Sequence, residues 1–250
     1  MGILKIDNNW AKELFPGGIH YPSSTVISGR GGSGKPLVEL AFVAEWVKQG
    51  GKTIGIPLQY PDSKFLKESM RKLYDLDLND YKRKSVFIQF DPDLKNIQDL
   101  SQEELAVNLL IPDMWDRMIE KSLDKMNADK EEVLIYGSAL NLLLFAPAYT
   151  SSSVIKISEL LKNNAGFTYL FTVSNNVMGE KIANWEEAAD NLFFTLMEEK
   201  ELYVCAERIN QQAVQTEKYH IDIQPETLDE IKEIAEKNRK KLIPKLKKIK

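Results

Sequence analysis

At 250 residues, with 43% hydrophobic and 28% charged side chains, the chain can bury a full core and has an ordinary water-soluble composition. Its one cysteine, Cys205, excludes an internal disulfide. No window approaches the roughly 18 to 20 apolar residues of a bilayer span, and MGILKIDNNW lacks the pattern of a secretory leader, so a cytoplasmic location is expected. The net charge of −4 is unevenly spread: eight Lys and Arg with no acid follow Glu236, which leaves about −12 on the rest.

In chain order, apolar β-branched runs alternate with stretches of helical period. Thr25 to Ser28 reads as a buried strand, followed by glycines from Gly29 to Gly34 and a helix carrying Leu37, Leu40, Ala41, Ala44 and Val47. Gly50-Gly51 ends that helix. Thr53 to Ile56 is the next strand, Pro61 to Leu73 a helix, and Ser85 to Phe90 a third strand. The Asp and Pro of Phe90-Asp91-Pro92-Asp93 read as punctuation after it, not as a paired-carboxylate site. Ser101-Gln102-Glu103-Glu104 has the form of a capping box and predicts a helix to Met126, bent at Pro112. Val133 to Tyr136 is a fourth strand, Ser153 to Leu161 a helix and Phe167 to Val173 a fifth strand.

The rhythm then changes. Asn191 to Leu196 and Leu202 to Ala206 flank Glu198-Glu199-Lys200 as an antiparallel hairpin, with one more strand at Tyr219 to Ile223. The whole predicts an α/β fold: a mostly parallel sheet, helices on both faces, and a late hairpin extending its edge. Residues 1–226 form the domain, and 227–250 a basic helix or tail. Ile231, Ile234, Ala235, Leu242, Ile243, Leu246 and Ile249 lie among the lysines of that tail. Pro244 is expected to interrupt the helix, leaving a solvated, frayed end.

Gly29-Arg30-Gly31-Gly32-Ser33-Gly34-Lys35-Pro36 matches G-x-x-x-x-G-K between a strand and a helix. Glycines there let successive N–H groups wrap a phosphate, and the lysine adds a positive charge. Pro36 stands where Ser or Thr would hold Mg²⁺. It removes both that hydroxyl and an N–H, while remaining harmless in a helix's first turn.

From Trp10 to Gly29 the run WAKELFPGGIHYPSSTVISG carries Glu13, Leu14, Gly17, Gly18, Ile19, Ser23, Ile27 and Ser28 in unbroken order, and Ala188-Ala189-Asp190-Asn191 precedes the hairpin. Together with the glycine loop these residues resemble the RecA/RadA superfamily, most closely its KaiC-like branch, over residues 7–223. The resemblance implies a RecA-like sheet, ATP at the loop and acids at two strand ends. At the second strand's end stands Gln59, and Tyr136 occupies the expected Walker B position. In Ala206-Glu207-Arg208 only Arg208 remains of a Lys-x-Arg that reaches a neighbouring subunit. Phe145-Ala146-Pro147-Ala148 fits the Phe-x-x-Ala with which RecA-like subunits hook neighbours, but core packing is the expected use. Cys205, in an apolar run, reads as a buried inert thiol.

Phosphoryl transfer depends on metal, lysine and a water-orienting group. Pro36, Gln59 and Tyr136 together therefore predict a hydrolysis-deficient paralogue with no catalytic residues and no metal. It would serve as a binding or assembly subunit for a protein or peptide, a RecA-like homologue or a second copy. The expected cofactor is none, or ATP or ADP held weakly by Gly29–Lys35 without Mg²⁺. The alternative is a weak ATP-binding accessory factor in DNA recombination, repair or signalling, with the basic tail Lys237–Lys250 touching nucleic acid.

Overall fold

The strands and helices form where apolar runs and helical repeats place them in the computed structural model, which describes residues 1–60, 62–81, 83–214, 216–223 and 225–249. A short pair, β1 (Gly2–Leu4) and β2 (Ile19–Tyr21), brackets α1 (Asn9–Leu14). Next come β3 (Ser24–Gly29), α2 (Lys35–Lys48), β4 (Lys52–Pro57), α3 (Ser63–Tyr74), β5 (Ser85–Phe90), β6 (Gln98–Ser101), β7 (Glu104–Val107) and α4 (Pro112–Met126). The second half holds β8 (Val133–Ser138), α5 (Thr150–Asn163), β9 (Thr168–Thr172), α6 (Gly179–Ala188), β10 (Asn191–Glu198), β11 (Glu201–Ile209), β12 (Gln212–Ala213), β13 (Tyr219–Ile221) and α7 (Pro225–Leu246).

The main sheet runs β12-β11-β10-β3-β9-β8-β4-β5-β7-β6, with β13 also paired to β11. From β10 to β7 all neighbours are parallel; β11, β12, β13 and β6 add antiparallel edges. Strand alternation divides the core in two. Val26, Ile54, Ile135 and Phe171 face α4, α5 and α6, where Trp115 and Trp185 are buried. Ile27, Leu134, Tyr136 and Phe193 face α1, α2 and α3, with Trp10 and Trp46. Each fully buried side chain of this size contributes about 1.5–3 kcal/mol, so the two layers carry the fold. At the amino ends of the strands, the buried Asn191 donates to Ser24 O and Thr25 Oγ1 at 3.1 Å, and Asp190 accepts from Ser24 N at 2.8 Å. The sequence Ala-Ala-Asp-Asn thus pins β10 beside β3.

Two expectations fail. Ser101 does not cap a helix: its hydroxyl accepts from Glu103 N at 3.2 Å inside the β6–β7 turn. Leu105 and Val107 then bury beside β5 as the parallel strand β7, and the helix starts only at Pro112, where proline suits the first turn. Nor does Pro244 stop the last helix. It is exposed and falls in the final turn of α7, two residues before Leu246, so little of the helix lies beyond it. A proline in a helix interior costs about 3 kcal/mol; here the burial of Leu228, Ile231 and Leu246 along one stripe offsets that cost. The tail is therefore docked, not solvated and frayed. Pro61, where the second expected helix began, and Lys250 lie outside the described residues; α3 begins at Ser63, capped by Asp62, whose Oδ1 accepts from Phe65 N at 3.0 Å. Among the described residues no helix is long and apolar enough to cross a membrane.

Candidate functional site

Strand β3 carries the chain to the carboxyl edge of the sheet, where Gly29–Lys35 turns into α2. Gly32 and Gly34 have φ of 78° and 74°, which side chains disfavour, and a Cβ on Gly34 would stand 2.7 Å from Leu202 Cδ1. The glycines are thus demanded by the loop's path. Pro36 takes its place in the first turn of α2 without disturbing the helix.

The lysine turns inward. Lys35 Nζ donates to Gly29 O at 3.0 Å and Arg30 O at 2.6 Å and lies 3.3 Å from Ser33 Oγ. Ser33 Oγ in turn meets Thr195 Oγ1 at 2.7 Å, and Gly31 N donates to Asn176 Oδ1 at 3.2 Å. Burial pushes the Lys35 ammonium down to about 7. The loop is closed on itself, its charge held by its own carbonyls.

Around the loop lies a cavity of about 370 Å³. Gln59 from the end of β4, Asn141 after β8, and Ser174 and Asn176 after β9 line the body's side of it. Gln59 Nε2 is buried without a partner among the described residues. Tyr136 is not a cleft residue. It lies on the α2 side of the sheet, fully buried, and the strand alternation that puts it there also turns the buried Ser138 toward α2. Ser138 Oγ donates to Glu39 Oε2, while Glu39 Oε1 has no partner among the described residues. Burial raises the Glu39 carboxyl to about 8, so at neutral pH it is an uncharged acid inside the core. The only carboxylate among the described lining residues is Glu236, on α7, and it is ion-paired with Arg239 at 2.6 Å. No group of three His, Cys, Asp or Glu among the described residues is placed to hold a metal.

Two expected residues lie elsewhere. Arg208 donates to Ala189 O at 3.1 Å and Glu186 O at 2.6 Å, which ties its guanidinium to the end of α6 in its own chain. Cys205 is buried on β11, and burial raises its thiol. Sequence reasoning missed the cleft's roof, in which Lys232, Ala235 and Arg239 of α7 face the loop. The signal was the spacing Leu228, Ile231, Ala235, Asn238, Leu242, Leu246, which stays in helical phase through Pro244.

The fold that carries this cleft, at a strand-to-helix glycine loop on the carboxyl edge of a parallel sheet, has a counterpart among solved structures. A KaiC-like protein from the hyperthermophilic archaeon Pyrococcus horikoshii superimposes with a TM-score of 0.68 at 18% identity, over 90% of this chain and 96% of that one. The fold is RecA-like. No protein-family model and no curated protein sequence matches the chain. With the KaiC-like frame in place, the parallel block from β10 to β7 and the β10–β11 hairpin are the RecA-like sheet and its antiparallel extension.

Proposed function

We propose that this RecA-like chain is deficient in ATP hydrolysis and acts as a binding or assembly subunit for a protein or peptide partner. The observation that carries the reading is the chemistry of the cleft: among the described residues the body of the domain contributes no carboxylate to it, and Pro36 stands in place of a hydroxyl residue beside Lys35. Phosphoryl transfer needs a metal to neutralise charge and a group to orient water. Neither Gln59 nor the protonated Glu39 supplies an anion for that metal at neutral pH. The wrapped loop and Lys35 support a narrower second reading, weak binding of ATP or ADP without Mg²⁺. In either case the sheet serves as a rigid platform for assembly.

The test is turnover by the purified full chain with ATP and Mg²⁺. The expected result is no hydrolysis above background. Turnover on the order of 1 per second or faster, abolished by Lys35→Ala, overturns the proposal. Titrating ATP with and without Mg²⁺ then separates the two readings: metal-independent, weak binding fits the second, and no binding the first.

A further inference from the structure

Helix α7 does not lie along a face of the sheet. It crosses the carboxyl ends of the strands and joins the two core layers. Leu228 and Ile231 are buried with the α2 and α3 side, and Leu246 with the opposite layer, where Leu242 and Ile249 also pack. Between these anchors, Arg239 reaches the glycine loop, its Nη1 3.6 Å from where a Cβ on Gly31 would stand. Asn238 Nδ2 donates to Leu58 O at 3.2 Å and Tyr60 O at 3.1 Å, clamping the helix to the end of β4. Beyond the last turn, Lys247 Nζ lies 5.8 Å above the ring of Phe145.

The middle of α7 is only partly buried, with Ile234, Ala235, Leu242 and Ile243 packing at the edges of the two core layers. Among the described side chains of this 22-residue helix only Leu228, Ile231 and Leu246 are fully buried. Its centre bridges the 370 Å³ cleft on one side and a second cavity of about 330 Å³, lined by Asn238, Lys241 and Lys245, on the other. The ion pair from Glu230 to Lys72 is exposed and adds little. An element with few buried contacts and voids beneath it opens at lower free energy than the strands it covers.

We propose that α7 is a displaceable strap: this chain's own helix occupies the mouth of the P-loop cleft, and a phosphate-bearing ligand enters only when the helix lifts. The occluded state divides the cleft's intrinsic affinity by the fraction of molecules that are open. Closure is independent of the hydrolytic deficit, and hydrogen exchange reads it whether or not the protein turns ATP over.

The experiment compares hydrogen exchange and metal-free inorganic pyrophosphate binding in three full-length chains: the parent, Asn238→Ala/Leu246→Ala with a weakened strap, and Pro244→Ala with a strengthened one. In the weakened chain, amides of 228–246 and of 29–35 should exchange together about tenfold faster, and pyrophosphate should bind about tenfold tighter. Strands β3, β8 and β9 should keep the parent's protection. Pro244→Ala, which restores an exposed helical N–H and cannot disturb the core, should slow exchange in both segments and weaken pyrophosphate binding. Two results overturn the proposal. One is exchange of α7 only through global unfolding; the other is a loop whose exchange and pyrophosphate affinity ignore the state of α7.

Discussion

At the scale of single residues, the decisive pair is Lys35 and Glu39, one turn apart on α2 and both buried. Glu39, raised from 4.5 to about 8, binds a proton in the folded state that the unfolded chain has lost. Its stabilising contribution is complete below about 4.5 and disappears as pH rises through about 8. Lys35, lowered from 10.5 to about 7, titrates in the opposite sense, so its penalty is relieved as pH rises above about 7. Between pH 5 and 7 only Glu39 of the two acts. Over that interval the parent should lose about 2–3 kcal/mol of unfolding free energy relative to Glu39→Gln, read from denaturant midpoints at both pH values. A difference that does not change with pH would mean that the carboxyl is ionised in the core. The same geometry bears on attempts to build hydrolysis into the cleft. Pro36→Thr alone should yield no turnover, because Mg²⁺ on the ATP phosphates would still lack a protein carboxylate to position it and a group to orient water. Tyr136→Asp should cost about 3–5 kcal/mol and show as a lower melting temperature, since it leaves a charge unpaired between α2 and the sheet.

At the scale of elements, what was legible in the sequence was what local periodicity decides. The strands β3, β4, β5, β8 and β9 are short apolar runs bounded by turns, and a buried parallel sheet requires that pattern. The glycine loop was legible as a strand-to-helix turn because glycines at Gly29, Gly32 and Gly34 answer to backbone geometry alone. Ser101 and Pro244 misled for a shared reason: each was assigned its local preference, while distant burial of Leu105 and Val107, or of Leu242 and Leu246, decided the outcome. The spacing of α7 could have shown the helix but not its place as the cleft's roof, because Asn238 and Arg239 acquire meaning only once α7 is folded across the strand ends. The β10–β11 hairpin offers a local test. Its two turn residues, Glu199 and Lys200, have φ of 50° and 73°, a conformation that asparagine and glycine adopt more readily. Glu199→Asn/Lys200→Gly should therefore raise stability by about 1–2 kcal/mol in a urea titration, with no change in slope. No gain would mean that neighbouring contacts already relieve the turn.

For the whole molecule, charge and shape act together. Residues 1–236 carry about −12, and the cationic end of α7 lies against them. Arg239 and Lys245 of that helix face cavities, while Lys237, Lys240 and Lys248 remain on the outside. A polyanion meets the exposed cations of this segment, Lys241, Lys245 and Lys247 among them, with an acidic surface behind them. Binding of a single-stranded DNA oligonucleotide should accordingly be weaker than micromolar at about 0.15 M salt and fall further as salt rises. Submicromolar anisotropy titrations under those conditions would favour nucleic acid over a protein partner.

The sheet also sorts the four tryptophans, Trp115 and Trp185 to one layer, Trp10 and Trp46 to the other. Each layer therefore carries its own intrinsic fluorophores. Replacing one pair with phenylalanine leaves emission that reports a single side of the molecule, so the two halves of the core can be followed separately as they melt. Coincident transitions from the two singly reporting chains would mean that the layers unfold as one cooperative unit.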